Sequence, residues 1–401
     1  MLFVPLLTAA LSTGPVATLG PIEFQTCLYS LQHMATVVGV SKSIVDEVIP
    51  TLKLQQQVLK LDREQPEFVQ TFSQYLATRI TPARIERGRE LYARHEEFLD
   101  ALTRRYGVPG RYLVAFWGLE TNYGSYLGGV PTLDALATLA CDERRAAFFG
   151  KEFISALQLM QRESLSPEQM YGSWAGAVGH TQFMPSSYLK YAVDGDGDGR
   201  INLWQSERDA LASGASFLQQ LGWEFGLRWG REVLLPDDFS YQQAGTNAML
   251  SLQEWSELGV RRADGKALPT TDIEGAILVP AGHTGPAFMV YANFFVIMQW
   301  NRSESYAISV GHLADRIKGG DNLLRPPPPG QRSLSLQQTA EMQRALNTAG
   351  YDAGVADGIF GPASRAALRA FQHATGLVAD GYPDQNSLAR LLELENTQQT
   401  E

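Results

Sequence analysis

The chain has 401 residues, 44% hydrophobic and 19% charged, the balance of a folded protein too long for one compact core, so two or three domains are expected. Its formal net charge is -10 and it lacks basic runs, which argues against wrapping nucleic acid or adhering to anionic lipid but leaves a neutral glycan acceptable as partner. No run is long enough to span a bilayer, so no integral membrane segment is expected.

Taken in chain order, Met1 to Ala10 is apolar and Ser12 to Gly20 carries small and polar residues. Residues 1–20 thus resemble the core of a secretory signal, though without a basic leader. The two cysteines, Cys27 and Cys141, could form one disulfide or remain two buried thiols. Phe24, Gln25 and Thr26 do not make a lipid-attachment site before Cys27, which favours a soluble form. Residues 41–105 show helical periodicity with charged faces.

The segment Arg111 to Gly124 places Leu113, Phe116, Trp117 and Glu120 on one helical face, with Gly124 as a stop signal. A carboxyl pressed against Trp and Phe loses hydration, which raises its pKa and suits it to hold a proton near neutrality. The same glutamate could instead be a structural ion-pair partner. Further on, Asp194, Asp196 and Asp198 alternate ahead of Gly199, Arg200 and Ile201. This is the opening of a calcium-binding EF-hand loop, in which Arg200 would offer its backbone carbonyl. Three spaced carboxylates repel one another without a cation, and with no thiolate present calcium is favoured over transition metals. Position twelve of such a loop, normally Glu, is Gln205.

Residues 231–290 change character: Asp264-Gly265 suggests a hairpin and Ala276 to Val279 a short buried strand. Helical patterning resumes from Tyr291 through Ile317. The fold class is therefore mainly α, a helical domain with a small β-containing insertion. Pro326 to Pro329 run together in a semi-rigid spacer over residues 325–332, closing a large unit at 21–324 and opening a small one at 333–395. In the small unit Ser335 can cap a helix whose Met342, Ala345, Leu346 and Ala349 share a face, with Gly350 ending it. Pro362 opens a second helix with Ala367, Leu368 and Phe371 inward and Gly376 closing it.

Three strings carry a resemblance. Gly118-Leu119-Glu120-Thr121-Asn122-Tyr123-Gly124 resembles the catalytic motif of the membrane-bound lytic transglycosylase B family. Ser173 to Tyr188, with Gly176, Gln182-Phe183-Met184-Pro185-Ser186 at its centre, resembles that family's second motif, and Asn301 to Ala307 its third. The resemblance spans about residues 20–320. It implies a goose-type lysozyme-like fold and cleavage of the β-1,4 bond between N-acetylmuramic acid and N-acetylglucosamine of peptidoglycan. By matching positions it implies Glu120 as proton donor, with Ser173, Gln182, Phe183, Asn301 and Tyr306 lining sugar subsites and Tyr123 and Met184 beside them. It also implies Asp209 as closing ligand of a calcium loop over 194–209, and export to the periplasm. Residues 336–392 resemble the three-helix peptidoglycan-binding domain, which would hold an enzyme near an insoluble polymer. Glycan strands are then the partner, and other wall enzymes are candidate partners; no organic cofactor is expected.

The matched motifs offer only Glu120 as a catalytic carboxylate where most glycosidases use two, which fits a substrate-assisted reaction ending in a 1,6-anhydro-muramoyl product. Glu304 lies near Tyr306 in sequence but on another helical face, and the sequence assigns it no role. Spacing alone leaves a hydrolytic muramidase open. A wall peptidase is the competing enzyme class, but the six histidines lack a short-spaced zinc pair. A non-catalytic wall-adhesion protein is the third reading.

Overall fold

The computed structural model describes residues 19–64 and 70–398, so the candidate signal at 1–20 lies outside the described residues except for its last two. Helix α1 (Pro21–Val37) begins on proline and buries Phe24, Leu28, Leu31 and Ala35, a stripe at helical spacing. Next come α2 (Gln56–Glu64), α3 (Phe72–Arg79), α4 (Pro82–Arg94) and α5 (Glu96–Tyr106). Thr71 and Gln74 close a reciprocal capping box on α3, Thr81 caps α4, and Gly107 ends α5 in the left-handed conformation.

Helix α6 (Gly110–Thr121) is followed by β1 (Val130–Pro131), α7 (Thr132–Cys141), α8 (Ala146–Glu163), β2 (Tyr171–Gly172), α9 (Pro185–Tyr191) and α10 (Glu207–Gln220). Two apolar cores result. One surrounds α6 with Leu99, Leu113, Phe116, Trp117 and Leu313, and the other joins α1 to α7 and α8 through Leu28, Leu136, Phe149 and Phe153. Cys27 and Cys141 form a disulfide from α1 to α7 across the second core.

The insertion is a five-stranded antiparallel sheet in the order β4-β6-β7-β3-β5, built from β3 (Gly230–Leu234), β4 (Leu250–Ser251), β5 (Arg261–Arg262), β6 (Glu274–Leu278) and β7 (Ala287–Val290). The strand expected at 276–279 is thus β6, displaced by two residues at its start. Side chains alternate across it: Ala276, Leu278, Phe288 and Val290 face the α6 core. Val233, Ile277 and Met289 form a separate core with Trp255 of α11 (Leu252–Glu257). The Asp264-Gly265 turn forms, with the Arg262 N–H bonded to Lys266 O, but it does not join a two-stranded hairpin. β5 pairs instead with β3.

The helical stretch expected over 291–317 is two helices, α12 (Ala292–Trp300) and α13 (Glu304–Ile317). Asn301 is extended between them, and its Oδ1 accepts the Ser303 N–H at 3.1 Å, a local bond that competes with helix continuation. In the C-terminal unit α14 (Leu336–Thr348), α15 (Pro362–Ala374) and α16 (Gln385–Gln398) bury Met342, Leu346, Leu368, Phe371, Leu388 and Leu391. Ser335 caps α14 as expected, whereas Ala349 lies at its C-cap and is exposed. The spacer is fastened at both ends. Glu232 accepts the N–H groups of Leu324 and Arg325, and Gln331 Nε2 donates to Ala281 O.

Candidate active site

Ten of the twelve residues of α6 are buried, and the two that are not are Arg111 and Glu120. The helix is therefore buried on all sides, not on one stripe, because α4, α5, α10 and α13 all pack against it. It ends at Thr121, ahead of the expected stop. Asn122, Tyr123 and Gly124 then follow with φ of 49°, 61° and 77°. Three consecutive left-handed residues are unusual for L side chains and cost on the order of 1 kcal/mol at Tyr123.

What holds them is visible. The Tyr123 hydroxyl donates to Arg84 O at 2.8 Å, and its ring lies where a Cβ on Gly118 would come within 2.7 Å. Thr121 Oγ1 donates to His180 O at 2.8 Å and accepts the Gly124 N–H at 3.0 Å. Gly124 needs its positive φ and also the missing side chain, since a Cβ would stand 2.3 Å from His180 Cε1. Trp117 Nε1 donates to His180 Nδ1 at 2.9 Å, so the imidazole accepts there, and burial lowers its pKa. The first and second motifs are thus locked together through His180.

Glu120 sits where these constraints converge. The Tyr306 hydroxyl, on the first turn of α13, donates to Glu120 Oε1. Desolvation raises the Glu120 pKa to about 7, opposed by hydrogen bonds from Tyr306 and Trp300 and by the charge of Arg79. Burial, then the Glu120 charge, pushes the Tyr306 phenol well above its ordinary value, so it stays a donor. Among the described residues no second carboxylate acts on Glu120.

Sequence reasoning missed Trp300, Tyr75 and Arg79. Trp300 packs on Phe116 at 4.3 Å between ring centroids. Tyr75 and Arg79 share one face of α3, the Arg79 guanidinium 5.3 Å from the Tyr75 ring centroid, and both act on the Glu120–Tyr306 pair. The i,i+4 spacing of Tyr75 and Arg79 is a local signal, but nothing local ties α3 to α6.

The other expected site residues lie in varied settings. Phe183 is 2% exposed and enclosed by Phe217 and Trp300, so its ring belongs to the core and backs Trp300 instead of lining a sugar site. Tyr123 is likewise buried. Gln182 has φ 48°, and its Nε2 donates to Leu127 O at 3.1 Å and Gly179 O at 3.0 Å, which leaves Oε1 as its remaining polar atom. Ser173 Oγ accepts the Ala177 N–H at 3.1 Å, Met184 is the half-buried N-cap of α9, and Asn301 is exposed.

In the acidic loop, carboxylate oxygens of Asp194, Asp196 and Asp209 come within 4.8 Å of one another. Asp194 accepts the N–H groups of Gly197 and Gly199, and the buried Asp209 those of Gly195 and Asn202. Backbone donors thus preset both carboxylates. Asp198 stands outside this trio: its Oδ1 accepts the Arg200 N–H at 2.8 Å, and Arg200 is exposed. Asp196 adds its negative charge to that of Asp209. All-oxygen donors gathered on a glycine-turned loop fit a hard cation.

Fold and site define an α-rich, lysozyme-like domain with one desolvated acid at the end of a buried helix. The family model for the transglycosylase SLT domain matches residues 23–315, and one for a peptidoglycan binding domain matches residues 335–391. The chain belongs to the transglycosylase SLT domain family. It is 33% identical over 246 residues to the membrane-bound lytic murein transglycosylase B of Escherichia coli (strain K12), an alignment spanning 59% of this chain and 65% of that protein's length. The crystal structure of SltB3 from Pseudomonas aeruginosa in complex with NAG-anhNAM-pentapeptide is 39% identical. It superposes with a TM-score of 0.87 over 92% of this chain and 99% of that one. The Escherichia coli lytic transglycosylase Slt35, solved in complex with calcium, is 29% identical with a TM-score of 0.64, covering 73% of this chain and 93% of that one.

Proposed function

We propose that this protein is a peptidoglycan lytic transglycosylase that cuts the β-1,4 bond between N-acetylmuramic acid and N-acetylglucosamine, with Glu120 as sole acid and base. The observation that carries this reading is a carboxyl titrating at about 7, bonded by Tyr306, with no second carboxylate acting on it among the described residues.

Protonated Glu120 gives its proton to the glycosidic oxygen as the bond to C1 of the muramoyl sugar breaks. The acetamido carbonyl of that sugar closes on C1 and takes the place of an enzyme nucleophile. Glu120, now a carboxylate, removes the proton from the C6 hydroxyl, and O6 displaces the acetamido oxygen to leave a 1,6-anhydro end. No water is consumed. A single group serves both steps because desolvation favours its acid form while Tyr306 and Trp300 stabilise the anion, which holds the two forms near balance at neutral pH.

Gln182, through Oε1, with Ser173, Met184 and Asn301, would orient the sugars, a gain of the proximity kind. Tyr123 and Phe183 would support this surface from behind. Asp194, Asp196 and Asp209, with Asp198 and the Arg200 carbonyl nearby, would hold Ca2+; the ion would brace the loop next to the second motif and take no part in proton transfer. The calcium complex of Slt35 supports that assignment. A periplasmic location agrees with the Cys27–Cys141 disulfide, since such bonds persist in oxidising compartments. The test is release of soluble muropeptides from purified sacculi. Wild type is expected to release them and Glu120→Gln almost none; equal release by both would overturn the role of Glu120.

A further inference from the structure

The C-terminal unit is docked on the catalytic one at three points. His283, in the loop between β6 and β7, holds Asp380 Oδ2 twice, through its main-chain N–H at 2.9 Å and through Nδ1 at 2.7 Å. A Cβ on Gly282 would stand 2.9 Å from that same oxygen, so this junction is closely packed. The Arg369 guanidinium lies against Gly245, where a Cβ would come within 3.0 Å of Nη1. One turn earlier on α15, Arg365 Nη2 is 3.7 Å from Glu304 Oε2, with side chains 23% and 18% exposed. The superposition on SltB3 covers nearly both whole chains, which requires the two units to keep a common placement.

Glu304 is the first residue of α13, and Tyr306, two residues on, is the donor to Glu120. Ser303 Oγ accepts the Tyr306 N–H at 3.2 Å, so the same turn is capped from the other side. We infer that Arg365 of the peptidoglycan-binding unit is a positioning residue for the catalytic acid: by holding Glu304 it fixes the first turn of α13, and with it the approach of the Tyr306 hydroxyl to Glu120. The pair is screened less than a surface pair because both groups are largely withdrawn from water. It also has a second cation beside it. Burial, then the like charge of Arg365, brings the Arg369 pKa down to about 10, with Glu304 and Asp380 acting in the opposite direction. Glu304, together with Asp380, is therefore an anion that offsets the two arginines at the junction. The binding unit then serves chemistry as well as retention on the wall.

This inference rests on Glu120 being the acid, and the experiment separates the two. Full-length protein is assayed on a soluble tetrasaccharide of alternating N-acetylglucosamine and N-acetylmuramic acid, too small to need retention by a wall-binding unit. Arg365→Ala and Glu304→Gln are each expected to lower kcat about three- to tenfold with KM unchanged, and to move the kcat limb near pH 7 upward. The double variant should lose no more than either single one, since the two residues act as a unit. Arg365→Lys should keep most of the activity, and Arg365→Glu combined with Glu304→Arg should recover part of it; these two variants carry the test if Arg365→Ala does not fold. Arg390→Ala, an exposed arginine of the same unit paired with Glu393, should match wild type. Wild-type kcat and pH profile in Arg365→Ala, or additive losses in the double variant, would overturn the inference. If wild type forms no anhydro product from this substrate, the proposed function fails instead.

Discussion

Replacing Tyr306 with Phe removes one hydroxyl and leaves the ring that packs near Phe116. That hydroxyl donates to Glu120 and so favours the anion; its loss must raise the Glu120 pKa above about 7. A hydrogen bond to a charged group is worth about 1.5–3 kcal/mol, and at 1.36 kcal/mol per unit this corresponds to a rise of about 1–2 units. The variant acid would then titrate above the wild-type one, with Trp300 and Arg79 still opposing desolvation. At pH 7 the acid form would prevail at rest, but the carboxylate formed as the proton leaves would lack its hydroxyl donor, so the first proton transfer would slow. The assay is kcat against pH on the soluble tetrasaccharide for wild type and Tyr306→Phe. The expected result is a lower kcat at pH 7 and an alkaline limb, where the acid form is lost, displaced upward. A profile unmoved, or moved to lower pH, would refute the assignment of Tyr306 as the donor that tunes Glu120.

Three further outcomes follow from the same structure. The Glu120 carboxyl has a folded pKa raised from 4.5 to about 7, so it leaves stability untouched below the unfolded value and destabilises progressively as pH rises through 7, by up to about 3 kcal/mol. Glu120→Gln should accordingly raise the melting temperature by several degrees at pH 8 and leave it unchanged at pH 4, as followed by calorimetry. Added Ca2+ should raise the melting temperature, by the equivalent of about 2.7 kcal/mol at a hundredfold excess over Kd, and Asp209→Asn should abolish the response. Serine at Cys27 and Cys141 should lower stability in denaturant titrations by about 4–5 kcal/mol, because the crosslink closes a loop with a sequence separation of 114 residues.

Much of this was legible in the sequence where the signal was local. The glutamate among Trp and Phe, the alternating aspartates and the capped helices of the C-terminal unit each depend on neighbours within one or two turns. Tyr75, Arg79 and Trp300 were not legible because they reach Glu120 only through the packing of α3, α12 and α13 around α6. Phe183 was expected at a sugar site, but motif membership does not distinguish a ring open to a groove from one buried behind Trp300. The early end of α6 escaped for a related reason: Tyr123 holds a left-handed backbone because Arg84, 39 positions away, accepts its hydroxyl. Glu304 had no partner within its own helix, and its role became visible only with Arg365 beside it.

The claim that one carboxyl performs both proton transfers without water is tested most directly by digesting sacculi in H2(18)O and weighing the released muropeptides. The expected products carry no (18)O at the muramoyl end and are one water lighter than hydrolytic ones. Labelled, reducing muramoyl ends would show that water attacks C1 and would contradict the closure by O6.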